Sequence, residues 1–385
     1  MKNEKKLLMV INADWYFDLH WMERAINATE NGYEVHLALP SCKTDILNTL
    51  TKHGIIVHYF DMDRSSLSIK SSFRAIQQLY RIFKSVRPQL VHSVTIKPNL
   101  YSSLITRVTK TPLISTYAGL GTLKVSDSLK HKIARKIIFS VLRHSTRKNN
   151  NILLFENEED LIYFKNLRIG NNNQRKRVFG AGVNLEKYAY SDVIEEKNTK
   201  FTVLFASRLL KNKGLNEVMY AVNELKDSGL PIDLQVAGIF DHDSPFAYEK
   251  KEIESFSSKG LIDWLGQRDD IPELIKSASV IALPTQYGEG VPRILIEACA
   301  IGRPIITSQL GGCRDICKNG ENGFIVNPPY VESIKSAIKT LYLNRKLINN
   351  MGRKGREIVV KEFSNDIILS QNIDFYRSLL NTKSD

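Results

Sequence analysis

A chain of 385 residues exceeds the size at which one hydrophobic core usually keeps growing, so two domains of roughly 150 to 200 residues are expected. Its 43% hydrophobic and 25% charged residues are ordinary for a globular protein, and no apolar run approaches the roughly 20 residues that span a bilayer. The net charge of +13 is uneven: residues 1–190 hold 29 Lys and Arg against 15 Asp and Glu, and the rest hold 25 against 26.

Leu7 to Asn12 is a short apolar run without a small-residue cleavage site, and reads as a buried strand rather than a signal peptide. Further strands are expected at Tyr33 to Leu39, Ile55 to Phe60, Gln89 to Val94, Leu113 to Tyr117 and Ile152 to Phe155, with helical-period segments between them. After the polar stretch Ser191 to Lys200 a second series follows. It comprises Phe201 to Ala206, Ile232 to Ala237, Ile262 to Leu265, Val280 to Leu283, Pro304 to Thr307 and Gly323 to Val326. Such alternation predicts an α/β protein with two parallel sheets covered by helices. The expected domains are 1–190 and 191–364, with a helix over 365–385 that packs back toward the first. Ligands are expected in the cleft between the lobes, at the carboxyl ends of strands.

Within residues 64–155 there are 17 bases and a single acid, Asp127. That excess implies a positive field toward nucleic acid, a membrane surface or a phosphorylated substrate, or else solvated lysines that serve only solubility. Ser128 to Lys148 alternates Leu129, Ile133, Ile137, Ile138, Val141 and Leu142 with Lys130, Lys132, Arg135, Lys136, Arg143, Arg147 and Lys148. This is the pattern of an interfacial membrane helix, and a domain-packing helix shares it. The four cysteines, Cys42, Cys299, Cys313 and Cys317, lack paired metal-ligand spacing and fit a reduced cytoplasmic compartment.

The segment Tyr287-Gly288-Glu289-Gly290-Val291-Pro292-Arg293-Ile294-Leu295-Ile296-Glu297 follows an expected strand and opens a helix. Its glycines allow backbone to approach a ligand, Pro292 suits a first helical turn, and the free N–H groups of the helix start attract phosphate or sugar oxygens. Glu289 and Glu297 lie too far apart for a paired carboxylate acid/base mechanism but suit two ends of an elongated ligand; capping or solvating the helix is the alternative for each. In a second segment, Phe201 to Gly214, a strand delivers Arg208 at its carboxyl end, and Lys213-Gly214 opens the next helix. A guanidinium and a nearby ammonium are suitable clamps for a diphosphate.

Ser207-Arg208-Leu209 with Lys213-Gly214, and Glu289 separated by seven residues from Glu297, resemble the donor site of the retaining glycosyltransferases of family 4. Gly302-Arg303-Pro304-Ile305-Ile306, Gly311-Gly312-Cys313-Arg314-Asp315 and Asn322-Gly323 continue that pattern. Asn12-Ala13-Asp14-Trp15-Tyr16-Phe17 with His20, His92 to Pro98, Phe155-Glu156-Asn157 with Asp160, and Gly180 to Asn184 resemble the branch that builds bacterial O-antigen, capsule and other lipid-linked glycans. The resemblance covers essentially the whole chain and implies the GT-B architecture, two Rossmann-like domains facing across a cleft.

It also implies roles. Arg208 and Lys213 neutralise the donor diphosphate, Glu297 accepts hydrogen bonds from ribose hydroxyls, and Glu289 with Gly288, Gly290, Val291 and Pro292 holds the transferred sugar. The implied substrates are a nucleotide-diphosphate sugar, most commonly a UDP-hexose or UDP-N-acetylhexosamine, and an undecaprenyl-diphosphate-linked acceptor at the inner face of the cytoplasmic membrane. No cofactor and no metal are implied. Asp61-Met62-Asp63 and Asp241-His242-Asp243 mimic a metal motif of another glycosyltransferase architecture and read as surface turns.

The chain departs from the family in lacking a glycine pair after the first strand and a His after the fifth, where Thr116 to Gly121 stands. That His role is carried to no residue. His20, His92, Lys97, Gly119 and Gly121 are the candidates for the acceptor side, a structural histidine being the alternative at each His. Two other functions share some of these features: a nucleic-acid-binding protein with a basic N-terminal half, and a sugar-nucleotide epimerase of the same architecture. The first predicts aromatics interleaved with the cations, but here they sit mostly in apolar strands.

Overall fold

The computed structural model describes residues 5–63, 66, 68–120, 129–147, 150–193, 200–241, 244–286 and 288–381. The chain divides into two compact units, Met1–Ala181 with Asp366–Asp385, and Gly182–Asn365. Residues 182–190, expected with the first domain, therefore group with the second. The cause is backbone pairing: Val183 exchanges hydrogen bonds with Phe363 and Asn365, each at 3.0 Å, and the Ser191 amide donates to the Ile301 carbonyl at 3.0 Å.

The first unit runs β1 (Lys5–Val10), α1 (Asp14–His20), α2 (Met22–Glu30), β2 (Tyr33–Leu39), α3 (Thr44–Lys52), β3 (Ile56–Tyr59) and α4 (Ile69–Val86). It continues with β4 (Leu90–Val94), α5 (Ile96–Thr109), β5 (Leu113–Tyr117), α6 (Leu129–Thr146), β6 (Asn151–Phe155), α7 (Glu158–Asn166) and β7 (Arg175–Arg177). All pairings are parallel in the order β3-β2-β1-β4-β5-β6-β7, which reverses direction between β1 and β4. The period of two is visible in β1. Leu7 and Met9 join one core, Leu8 and Val10 the other, so both faces of the sheet are covered.

The second unit contains β8 (Phe201–Ala206), a 3-10 turn (Lys211–Lys213), α8 (Leu215–Asp227), β9 (Ile232–Ala237), α9 (Lys250–Ser258), β10 (Asp263–Trp264) and α10 (Ile271–Ser277). It ends with β11 (Val280–Leu283), α11 (Arg293–Ile301), β12 (Ile305–Ser308), α12 (Gly312–Ile316), β13 (Gly323–Val326), α13 (Tyr330–Leu343) and α14 (Arg345–Glu362). Its parallel sheet has the order β10-β9-β8-β11-β12-β13 and reverses between β8 and β11. Such a reversal leaves a crevice at the carboxyl ends of the two strands.

The last helix, α15 (Asn365–Asn381), returns to the first unit and buries Ile368, Ile373, Tyr376 and Leu379 in the same core as Leu7 and Met9. The expected apolar stripe of α6 divides in two. Leu142 is buried and Ile138 packs against the core, whereas Leu129, Ile133 and Ile137, four residues apart, are 73%, 52% and 59% exposed. Ser128, Lys148 and the side chain of Lys130 lie outside the described residues. Among the described residues no helix is long and apolar enough to cross a membrane.

Candidate active site

Four neighbouring strands of the second unit, β9, β8, β11 and β12, end on one edge of the sheet, and the loops that leave them carry the charged residues. Arg208 lies two residues beyond β8, and its Nη1 is 2.7 Å from the Asp241 Oδ2 beyond β9. Only 9% of the Asp241 side chain is exposed, which corrects its reading as a surface turn. His242 and Asp243 lie outside the described residues, and Asp61 is an exposed residue outside helices and strands that accepts from Gln78 Nε2 at 2.9 Å.

Lys213 closes the 3-10 turn, followed by Gly214 at φ +89°, where a Cβ would meet the Pro284 carbonyl at 2.6 Å. That left-handed turn beside β11 points the lysine inward. The ammonium of this 5% exposed side chain pairs with Glu289 Oε1, and the Thr285 hydroxyl donates to the same oxygen at 2.9 Å. Burial lowers the Lys213 pKa, and the Glu289 carboxylate opposes that shift. The loop holding Glu289 rests on the turn after β12, where a Cβ on Gly312 would stand 2.2 Å from the Gly290 carbonyl. Gly288 is different: a side chain there would enter open space, and Tyr287 lies outside the described residues.

Val291 is buried and Pro292 is the N-cap of α11, with no side-chain hydrogen bond at the cap. Pro292 thus offers no side-chain acceptor to the first N–H groups of α11, and the helix dipole favours an anion there. Glu297 projects from the second turn. Its Oε1 accepts from Arg293 Nε at 2.6 Å, and the pKa of the buried Tyr188 is raised by desolvation and by the charge of Glu297. Asp241, Thr285, Tyr188 and Arg293 are absent from the sequence-based set. The four-residue spacing of Arg293 and Glu297 on one helix face is a legible signal for one of them.

The acceptor-side candidates lie in or after strands of the first unit and differ in what their side chains do. His20 closes α1, half-buried, with its ring 4.7 Å from that of Tyr16. Gly119, at φ +94°, leaves β5, and Gly121 lies outside the described residues. Lys97 Nζ donates to the carbonyls of Asp63 and Ser66 at 2.6 and 2.5 Å, and burial lowers its pKa. It ties a loop to α5 instead of offering a free cation.

His92 is a structural residue, and its assignment to the acceptor side is corrected. It has no exposed surface, Nδ1 lies 2.8 Å from the Tyr376 hydroxyl and Nε2 lies 2.8 Å from Thr116 Oγ1. Burial, with Arg24 nearby, depresses its pKa to about 3. Glu156, also buried, is pushed up to about 7 by desolvation, against the pull of the same Arg24 and with a push from Asp160.

Among the described residues no group of three or more His, Cys, Asp and Glu has metal-binding geometry. Two doubly wound parallel sheets, one of them presenting two cations, two carboxylates and a helix start at its switch point, define a glycosyltransferase of the GT-B architecture. The comparisons agree. Residues 187–358 match the model for glycosyl transferases group 1, and residues 6–155 match that for glycosyl transferase 4-like domains. The chain belongs to the family 4 glycosyltransferases.

It is 24% identical over 354 residues to an N,N'-diacetylbacillosaminyl-diphospho-undecaprenol alpha-1,3-N-acetylgalactosaminyltransferase of Campylobacter jejuni, covering 89% of this chain and 90% of that one. It is 23% identical over 308 residues to a UDP-Gal:alpha-D-GlcNAc-diphosphoundecaprenol alpha-1,3-galactosyltransferase of Escherichia coli, covering 78% of each. In fold it is similar to Anabaena HepE, solved with UDP and glucose, at a TM-score of 0.75 and 17% identity over 97% of this chain and 100% of the other.

Proposed function

We propose that this glycosyltransferase moves a hexose or N-acetylhexosamine from a nucleotide-diphosphate carrier, with retention of anomeric configuration, to an undecaprenyl-diphosphate-linked acceptor in the assembly of a bacterial surface polysaccharide. The observation that carries the donor half is the gathering of Arg208, Lys213, Glu289 and Glu297 beside the start of α11 on one sheet edge. In this reading the diphosphate lies against Arg208, Lys213 and the α11 N–H groups. Glu297 accepts from the ribose, and Glu289 faces the sugar.

The bond between the anomeric carbon and the diphosphate breaks with its electron pair on the phosphate oxygen, whose charge the two cations stabilise. The acceptor hydroxyl forms the new bond on the same face and gives its proton to the departing oxygen. Glu289, held by Lys213 and Thr285, orients the sugar and is not required to form a covalent intermediate.

The names of the relatives support the acceptor class, since both act on diphosphoundecaprenol-linked sugars. A peripheral place on an anionic membrane is supported by the exposed Leu129, Ile133 and Ile137 on α6 beside exposed Lys132 and Lys136. The test is incubation with radiolabelled UDP-sugars and undecaprenyl-diphosphate-linked GlcNAc or diacetylbacillosamine. Transfer of label to the lipid fraction, with an axial anomeric linkage by NMR from an axial donor, is expected. Inverted product, or nucleotide-sugar epimerisation without transfer, overturns the reading.

A further inference from the structure

Arg208 and Asp241 leave neighbouring strands, and the backbone fixes how they meet. The β8–β9 ladder runs on past both strand ends, with the Ser207 amide donating to the Ala237 carbonyl at 3.1 Å and the Leu209 amide to the Ile239 carbonyl at 2.9 Å. Arg208 stands between these two bonds. Gly238 lets the two backbones close, since a Cβ there would collide with the Ser207 carbonyl oxygen.

Residues 244–248 lie against the same loop. The Ser244 amide donates to the Asp241 carbonyl at 3.0 Å, the Lys211 amide to the Phe246 carbonyl at 2.8 Å, and the Tyr248 amide to the Leu209 carbonyl at 3.0 Å. These bonds hold residues 207–211 against 237–241 and 244–248. Within that frame Arg208 Nη1 donates to Asp241 Oδ2 at 2.7 Å.

The two side chains differ in depth: 28% of Arg208 is exposed against 9% of Asp241. The carboxylate is thus the inner member of the pair and the guanidinium the outer one, so an anion approaching from solvent meets Arg208 without displacing Asp241. A guanidinium is a rigid planar fork, and fixing one of its nitrogens restricts the plane of the rest. An arginine on a loop otherwise loses side-chain freedom when it binds, so a partner that orders it beforehand strengthens binding. The carboxylate's own charge acts in the opposite sense, against an anionic ligand. A carboxylate that served only to occupy the guanidinium until a ligand arrived would lie on the outer side, where the ligand takes its place; the observed order of depth favours positioning.

We infer that Asp241 is a positioning residue that orients the Arg208 guanidinium toward the donor diphosphate. This rests on the assignment of Arg208 to the diphosphate, and Asp241 need not touch the donor itself.

The experiment is calorimetric titration of UDP and GDP into the wild-type chain, Asp241→Ala, Asp241→Asn, Arg208→Ala and the double variant Arg208→Ala with Asp241→Ala. For whichever nucleotide the wild type binds, Asp241→Ala is expected to weaken affinity by about three- to tenfold, the worth of one hydrogen bond. Asp241→Asn, whose side-chain oxygen still accepts from Nη1, should stay within about twofold of the wild type. In the Arg208→Ala background Asp241→Ala should weaken affinity no further, because the group it orients is gone. Equal weakening in both backgrounds, or Asp241→Asn as weak as Asp241→Ala, would assign Asp241 to loop structure alone; tighter binding by Asp241→Ala would make it a competitor of the diphosphate. Either result overturns the inference and leaves the donor-site reading intact. If Arg208→Ala binds as tightly as the wild type, or the wild type binds neither nucleotide, the donor-site reading falls and the inference with it. Should Asp241→Ala not fold, Asp241→Ser, too short to reach Nη1, carries the same cycle with the same outcomes.

Discussion

Replacing Lys213 by Met removes the ammonium of a side chain that is 5% exposed and leaves the carboxylate of Glu289, whose side chain is 16% exposed, facing an apolar chain. Breaking a buried ion pair from one side costs about 3 to 5 kcal/mol. Water reaches part of Glu289 and Thr285 still donates to it, so about 2 to 3 kcal/mol is expected here. In a unit of this size that lowers the midpoint of thermal unfolding by about 4 to 12 °C. Adding Glu289→Gln to Lys213→Met removes the stranded charge and should restore most of the loss, giving a coupling of about 2 to 3 kcal/mol. The assay is urea and thermal unfolding of all four members of the cycle, followed by circular dichroism. The buried-pair reasoning fails if Lys213→Met costs less than about 0.5 kcal/mol or if the two losses simply add.

Arg208→Ala should weaken nucleoside diphosphate binding by about one to two decades in titration, with far-UV circular dichroism unchanged; full affinity would remove Arg208 from the diphosphate contact. Chelation by EDTA should leave most transferase activity, and complete loss restored by Mn²⁺ or Mg²⁺ would contradict the metal-independent mechanism. Replacing Lys132 and Lys136 by Gln and Ile133 by Ser should reduce flotation with anionic liposomes without changing nucleotide affinity. Equal flotation of mutant and parent would make this face of α6 a solvated surface. Arg143 is unsuited to that test because its Nε donates to the Leu167 carbonyl at 2.8 Å. Acid stability offers a fifth check. With His92 depressed to about 3, the unfolded chain takes a proton near pH 6.5 that the fold refuses, so this residue's contribution falls as pH drops through that window. Glu156, raised to about 7, does the reverse between about pH 7 and 4.5, since the folded chain holds the extra proton. Glu156→Gln should therefore lose stability on acidification from pH 6.5 to 4.5, and His92→Leu should gain it; parallel slopes in urea denaturation would refute the pair.

Much of the scaffold is legible because its strands are short runs buried on both faces. Phe201 to Ala206, Ile232 to Ala237, Val280 to Leu283 and Gly323 to Val326 coincide with β8, β9, β11 and β13. β7 is not legible: Arg175-Lys176-Arg177 has no apolar residue, and it becomes a strand only by pairing with β6 at the sheet edge. In the candidate site, charged residues beside glycines and strand ends can be picked out from local spacing. The partner of Arg208 cannot, because Asp241 reaches it through a tertiary contact from 33 residues away. The same limit applies to His92, which looks like a ligand-facing histidine at a strand end until the Tyr376 hydroxyl arrives from 284 residues away.

That arrival also sets an order of events during synthesis. The first unit is completed by α15, so the core around Leu7 and Met9 lacks Ile368, Ile373, Tyr376 and Leu379 until the ribosome has made the intervening 182–365 segment. The second unit is contiguous and can close while the first still waits, which reverses the usual sequence in which the N-terminal domain folds first. A nascent chain thus spends about half of its translation with one apolar sheet face partly open. Ending the chain before Ile368 would strand the unit that was made first, leaving the one made later able to fold.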